Sequence, residues 1–343
     1  MNETQITSLL LPEDEYPHEP DEAENYNESM YLNGFDAERR VGGWFRLGNR
    51  VNEGYAEMTV CLYLPGGRVG FMYGRPAISD NSEMRAGGLH IEVIKPFEHL
   101  RVTYEGNVVV LDEPEQMSNP RQAFSDNPHE PCSVELDMFG VSPMYGGRPV
   151  NADGSDIEQV AEKSFAKAHY EQHTRSQGTI RVGDEVLALD GLGLRDKSWG
   201  PRYWQAISWY RWLPMAFTED FAMMLSIIGN RRGGMVLEGG SYHKIVDCSI
   251  ESDFDERYHQ TAMRCWALSE TGTEYEVTGE VLSLIPLRNR RKSPDGTELF
   301  TRITEAMTEY KCVRNGEELT GIGMSEYLDQ IIDGKPVGED VPT

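Results

Sequence analysis

Tyr55-Ala-Glu-Met-Thr-Val-Cys-Leu-Tyr-Leu64 decides the class of fold. Ala56, Met58, Val60, Leu62 and Leu64 alternate with Glu57, Thr59, Cys61 and Tyr63, and successive side chains of a strand point to opposite faces, so the stretch reads as a half-buried strand. Pro65-Gly66-Gly67 then turns the chain, and Arg68 to Arg75 returns as a hairpin partner. Working outward, similar strand patterns recur at 99–105, 107–111, 133–139, 179–182, 185–189, 204–213, 221–229, 258–268, 274–284, 300–312 and 319–328. Short strands separated by Gly, Asp and Asn turns predict barrels or sandwiches, an all-β fold. One stretch, Ser155 to Ala168, carries apolar residues at helical spacing behind Asp153-Gly154 and predicts a helix connecting two sets of strands.

At 343 residues the chain is long enough for two domains. We expect an acidic N-terminal arm over 1–40, one domain over 41–200 with the helix near 155–168, and a second over 201–343. Eight acidic residues and no Lys or Arg lie between Glu13 and Glu28, which reads as a solvated segment. A net charge of −25 repels phosphate backbones and anionic headgroups, so nucleic acid is excluded as a partner. No segment is apolar for long enough to span a membrane, and Met1-Asn2-Glu3-Thr4 lacks the features of a signal peptide, so the expected location is the cytoplasm. Cys61, Cys132, Cys248, Cys265 and Cys312 are odd in number and contain no CxxC pair, which predicts buried free thiols.

Chemistry concentrates between residues 169 and 212. If His169 to Arg175 is a strand, His169, Glu171, His173 and Arg175 share one face, turned to solvent or to a lumen. His169 and His173 would stand about 13 Å apart, too far to share an ion, and no metal is expected. Gly191-Leu-Gly-Leu-Arg-Asp196-Lys-Ser-Trp199-Gly-Pro-Arg202 follows, and Trp199, Trp204, Trp209 and Trp212 place four of the six tryptophans within fourteen residues. Gly191-x-Gly193 is no dinucleotide fingerprint, because Asp196 occupies the third glycine position, and no Walker loop, HExxH or GxSxG occurs. Read as a turn, the segment offers two roles for Asp196. Arg195 and Arg202 hold it as a carboxylate in a structural ion pair, or burial against tryptophan keeps it protonated as an acid. In the second role Trp199, Tyr203, Trp204, Trp209 and Trp212 supply aromatic faces that stabilise a carbocation.

The segment 191–202 resembles the junction motif of the carotenoid 1,2-hydratase (hydroxyneurosporene synthase)-like superfamily of tandem lipocalin-like barrels, in particular a bacterial branch reading GxGxRDxSWGPR. Tyr170-Glu-Gln-His173 and Gly321-Ile-Gly-Met-Ser-Glu-Tyr-Leu-Asp329 are similar to that branch as well, whereas Lys197 stands where it more often carries His or Arg. The resemblance implies two tandem lipocalin-like β-barrel or sandwich domains around an apolar cavity. It also implies relatives that hydrate isoprenoid double bonds, dehydrate tertiary alcohols or cyclise polyenes without a cofactor. On it we expect a hydro-lyase acting on a hydrophobic isoprenoid or terpenoid alkene or alcohol. Asp196 would be the acid, and His173 or Glu171 would position or deprotonate water. Trp199, Tyr203, Trp204, Trp209, Trp212 and Tyr170 would contact the guest, with Arg195 and Arg202 in support. A carrier that binds its guest unchanged, or a cavity-templated isomerase or cyclase, uses the same cavity. A homodimer is compatible with all three.

Overall fold

The segment Tyr55–Tyr63 is a strand, but it is buried on both faces. Met58, Val60 and Leu62 point into an apolar barrel core, while Cys61 and Tyr63 pack in a second apolar cluster that includes Ile285, Met307, Ile322 and Met324 from the far half of the chain. The expected solvent face is thus an inter-barrel face. This computed structural model describes residues 7–151, 153–155, 157, 166–202, 207–292, 296, 298–338 and 340–341. The predicted helix near 155–168, and Tyr203 and Trp204, lie largely or wholly outside the described residues.

In the first half the strands are β1 (Thr7–Leu9), β2 (Tyr26–Asp36), β3 (Val41–Arg50), β4 (Tyr55–Tyr63), β5 (Val69–Gly74), β6 (Met84–Ala86), β7 (Leu89–Lys95), β8 (His99–Leu111), β9 (His129–Gly140), β10 (Tyr145–Val150), β11 (Ala168–Val182) and β12 (Glu185–Pro201). A short helix, α1 (Pro120–Asp126), precedes β9. Antiparallel pairing closes eight of these strands into a ring, β2-β3-β4-β5-β8-β9-β11-β12 and back to β2. The second half supplies β13 (Trp209–Thr218), β14 (Phe221–Ile228), β15 (Arg231–Glu238), β16 (Ser241–Phe254), β17 (Gln260–Ser269), β18 (Glu274–Lys292), β19 (Glu298–Arg314), β20 (Glu317–Ile332) and β21 (Lys335–Pro336). Strands β13 to β20 pair in order and close through β13 and β20. At eight strands, inward side chains fill a barrel. Each ring has such a core, built from Leu32, Leu47, Val60 and Val134 in the first and Leu213, Leu225, Val236 and Val277 in the second.

Two expectations are corrected. The acidic segment is not wholly a solvated arm, because residues 26–36 form β2 inside the first barrel, and Glu15 and Glu28 are fully buried. A carboxylate leaves water only when a cation meets it. Glu15 pairs with Arg195, and Glu28 accepts from Lys197 at 2.6 Å and from His18 at 2.8 Å. The motif 191–202 is not a turn but most of the long strand β12. Its glycines permit close packing on β2: a Cβ at Gly191 would lie 2.1 Å from the Phe35 carbonyl oxygen, and one at Gly193 2.0 Å from that of Asn33. All five cysteines are buried and unpaired. No helix among the described residues is long and apolar enough to cross a membrane.

Candidate active site

Strand register assembles the site. Directly opposed residues of an antiparallel pair share a face, and the pairs Glu171 with Asp196, Asp196 with Tyr31, Tyr31 with Arg46, and Arg46 with Thr59 make one transverse row on the outside of the first barrel. On the second barrel Trp212 opposes Glu326, which opposes Glu305. The two rows line one cavity of about 530 Å³ between the barrels, with Trp44, Phe71, Phe124, Met224 and Ile303 in its apolar walls. This volume falls in the range of small-molecule sites, and the walls mix apolar side chains with charged ones of both signs, Glu57, Arg46, Arg75, Arg202, Arg288 and Arg290 among them.

The polar end of the cavity is electrostatically frustrated. Glu171 is 2% exposed. Burial, reinforced by the charge of Asp196, pushes its carboxyl up to about 7 against the opposing pull of His169 and of the Trp212 indole N–H, which donates to Oε1 at 3.0 Å. The His169 ring is open to the cavity. Its Nε2 stands 3.5 Å from Asp196 Oδ2 and 3.8 Å from Glu171 Oε1. Burial by itself would lower the imidazole pKa, but the Asp196 hydrogen bond and the two carboxylate charges outweigh it, and the net shift is upward. Across the cavity, burial first and contact with Glu326 second hold the Glu305 carboxyl far above the usual range. Burial also raises Glu326 to about 7, although Tyr210 donates to its Oε1. Arg202 lines the cavity and donates to Ser198 Oγ; burial, then Arg46, brings its guanidinium down to about 10. A carboxyl near neutrality beside a carboxylate–imidazole pair can give and take protons at physiological pH.

Donor atoms of His169, Glu171 and Asp196 lie within 4.8 Å of one another, the one such group among the described residues. Nε2 of His169 lies in ion-pair range of Asp196 and Glu171, and Glu171 accepts from Trp212.

Of the residues expected from sequence, Asp196, Glu171, Trp212 and Arg202 reach the cavity. Among the other described residues the period-two rule does most of the separating. Arg195, Lys197 and Trp199 alternate with Asp196 along β12, so they face the other side of the sheet. There Arg195 pairs with Glu15, not with Asp196. Tyr170 Oη donates to Glu15 Oε1 at 2.8 Å, and Trp199 stacks on His18 with ring centres 4.1 Å apart. Trp209 belongs to the second barrel's core. His173 shares the face of Glu171 but sits two residues further along, in a separate crevice against Pro214, Ala216 and Gly323. Its Nδ1 meets Tyr242 Oη at 2.9 Å, and burial lowers its pKa to about 4, which keeps it neutral. Sequence reasoning left His169 on a face turned to solvent or to a lumen without a role of its own, and it missed Glu305, Glu326 and Tyr210. The signal was available for two of them: Glu305 sits in phase with Ile303 and Met307, and Glu326 with Ile322, Met324 and Leu328. A carboxyl inside an apolar alternation is a buried charge in need of a reason.

A family model described as Domain of unknown function (DUF7064) matches residues 11–331. No curated protein matches the chain in sequence. Three solved structures share the fold over nearly its whole length. A putative AttH from Nitrosomonas europaea is 13% identical with a TM-score of 0.54, covering 94% of this chain and 96% of its own. Kievitone hydratase from Nectria haematococca is 9% identical with a TM-score of 0.56, covering 95% and 96%. CghA, solved with Sch210972, is 10% identical with a TM-score of 0.53, covering 94% and 98%.

Proposed function

The chain belongs to the DUF7064 family, and we propose that its inter-barrel cavity is an acid–base active site. There the protein adds water to, or removes it from, a hydrophobic isoprenoid-type alkene or alcohol without an organic cofactor. One observation carries the reading: Glu171, a buried carboxyl, lies beside His169 and Asp196 in the cavity between the barrels, and its burial holds it at about 7. In this scheme Glu171 and Asp196 exchange a proton with a carbon of the guest, and His169 supports Asp196 as a carboxylate. The faces of Trp212, Tyr31 and Trp44 shelter the positive charge that develops. That one solved structure of this fold is a hydratase agrees with the reading.

A simple carrier would gain nothing from desolvated carboxyls, each of which opposes folding at neutral pH. The test replaces Asp196 by Asn and Glu171 by Gln and measures turnover of terpenoid alcohols and their alkenes. Each variant should lose about 10²- to 10⁴-fold, the span that general acid–base catalysis supplies. Full activity in both would remove the first barrel's carboxyls from the chemistry, and a guest returned unchanged by the parent protein would favour the carrier.

A further inference from the structure

We propose that Glu305 and Glu326 of the second barrel form a proton-sharing pair that binds the guest's oxygen and passes the second proton of the reaction. The inference rests on the hydro-lyase reading and adds to it a partner for the oxygen of the bond being changed.

Geometry comes first. Glu305 on β19 and Glu326 on β20 are directly opposed cross-strand neighbours. Both line the cavity, and each carboxyl is close enough to act on the other. Two carboxyls in contact in a poorly hydrated place do not both ionise, so one proton is held between them, leaving a donor and an acceptor side by side. Tyr210 Oη occupies Glu326 Oε1. Glu305 Oε2 is buried with no hydrogen-bond partner. A buried polar oxygen left unpaired is costly, and a hydroxyl or water of the guest would satisfy it. The groups that act electrostatically on the pair from neighbouring strands are Tyr31, Arg46, Cys61, Tyr63, Asp196 and Tyr210. Arg46 is the one cation among them, and it also pairs with Glu57 at 3.1 Å.

The cavity walls carry the carboxyls of Glu57, Glu171, Asp196, Glu305 and Glu326 and the guanidiniums of Arg46, Arg75, Arg202, Arg288 and Arg290, with apolar side chains such as Trp44, Phe71 and Ile303 between them. On the hydro-lyase reading the guest is a largely apolar alcohol whose hydroxyl meets the Glu305–Glu326 pair, or the alkene it yields. In dehydration the shared proton passes from the pair to the hydroxyl oxygen. The C–O bond breaks with both electrons staying on oxygen, and water leaves. A proton on the adjacent carbon goes to Asp196 or Glu171, and the C–H electron pair becomes the new C=C bond. The pair has lost one proton and the first barrel has gained one. Exchange with solvent restores both, and hydration is the same path reversed.

The experiment uses the full chain. A pH titration of its ¹³C-labelled glutamate carboxyls, assigned with E305Q and E326Q, should show one proton retained by the pair at pH 6. Two ordinary carboxylates at that pH would overturn the proposal. Linalool, nerolidol and α-terpineol are then incubated in H₂¹⁸O, and the corresponding alkenes in D₂O. E305Q and E326Q should lose ¹⁸O exchange at the carbinol by about 10²-fold or more while deuterium still enters the alkene carbon, whereas D196N loses the deuterium exchange. Retention of ¹⁸O exchange within about threefold in both glutamine variants would overturn the role of the pair and leave the hydro-lyase reading standing. Absence of turnover of every probe by the parent chain would instead overturn that reading, and the catalytic role with it. Glutamine keeps the shape of glutamate, and circular dichroism and unchanged or raised melting temperatures would confirm folding.

Discussion

Replacing Glu171 by glutamine should lower activity and raise stability, and the size of the second effect follows from the structure. The carboxyl moves from an ordinary 4.5 in the unfolded chain to about 7 in the folded one. A raised folded-state pKa favours the protonated form, so its stabilising contribution is complete below about pH 4.5 and is lost as pH rises through about 7. At roughly 1.4 kcal/mol per pH unit, the loss amounts to about 3 kcal/mol at pH 8 and less than about 1 kcal/mol at pH 5. The group is 2% exposed, so solvent screening does not reduce the figure greatly. Glutamine keeps an oxygen for the Trp212 N–H and carries no charge to desolvate. Urea unfolding at the two pH values reads the combined effect on Glu171 and on His169, whose imidazole Glu171 helps to raise, while Glu305 and Glu326 titrate in parent and variant alike. The E171Q advantage should grow by about 2 kcal/mol or more between pH 5 and pH 8. An advantage independent of pH, or a variant less stable at pH 8, would refute the claim that burial holds this carboxyl near neutrality.

Other expectations are more local. Gly193→Ala should destabilise by about 1–3 kcal/mol or more, since the new methyl would stand 2.0 Å from the Asn33 carbonyl oxygen and overpacking forces the strands apart; the urea midpoint reports it. Glu15→Gln strips the buried Arg195 of its carboxylate and should cost about 3–5 kcal/mol, with earlier proteolytic cleavage in the segment before β2. His173→Gln should leave turnover unchanged while losing about 1 kcal/mol of stability with the Tyr242 contact; a large loss of rate would return His173 to the chemistry. Dialysis against a strong chelator should leave turnover unchanged, and a loss restored by added divalent metal would mean that His169, Glu171 and Asp196 act as ligands.

Alternation made the strands legible, and the strands made the architecture legible. The patterns at 99–105 and 107–111 run together as β8, and those at 274–284 and 300–312 lie within β18 and β19. Residues shared between neighbouring faces were harder to assign. Local spacing groups Arg195, Asp196, Lys197 and Trp199, because they are adjacent, but a strand divides them. Lys197 and Arg195 hold the N-terminal segment inside the first barrel, and Asp196 alone looks across to the second. Trp209 and Trp212 part company in the same way, one into a core and one into the cavity. Reading 191–202 as a turn hid this division, since Gly191 and Gly193 suggest flexibility when their real task is close approach to β2. Glu305 and Glu326 required one fact more. Each stands out within its own strand, but their meeting depends on the register of β19 with β20, and their meeting with Asp196 depends on how one barrel docks on another. Neither register nor docking is written in local periodicity.

Placing the site outside both barrels has a physical rationale. An eight-stranded barrel filled by its own side chains has no room for a guest, and each interior here is occupied by a continuous apolar core. The outer faces are different. Phe35, Tyr63, Met307, Ile322 and Met324 form an apolar seam between the barrels, and the rows Glu171–Asp196–Tyr31 and Trp212–Glu326–Glu305 open beside it. Docking of the barrels buries Glu171, Glu305 and Glu326, and that burial raises their carboxyl pKa values. Either barrel alone would leave its row in solvent, where a glutamate ionises near its ordinary value and holds no proton to donate at neutral pH. The proton inventory of the site is therefore a property of the docked pair, and substitutions that loosen the seam should lower the Glu171 and Glu326 pKa values before they unfold either barrel.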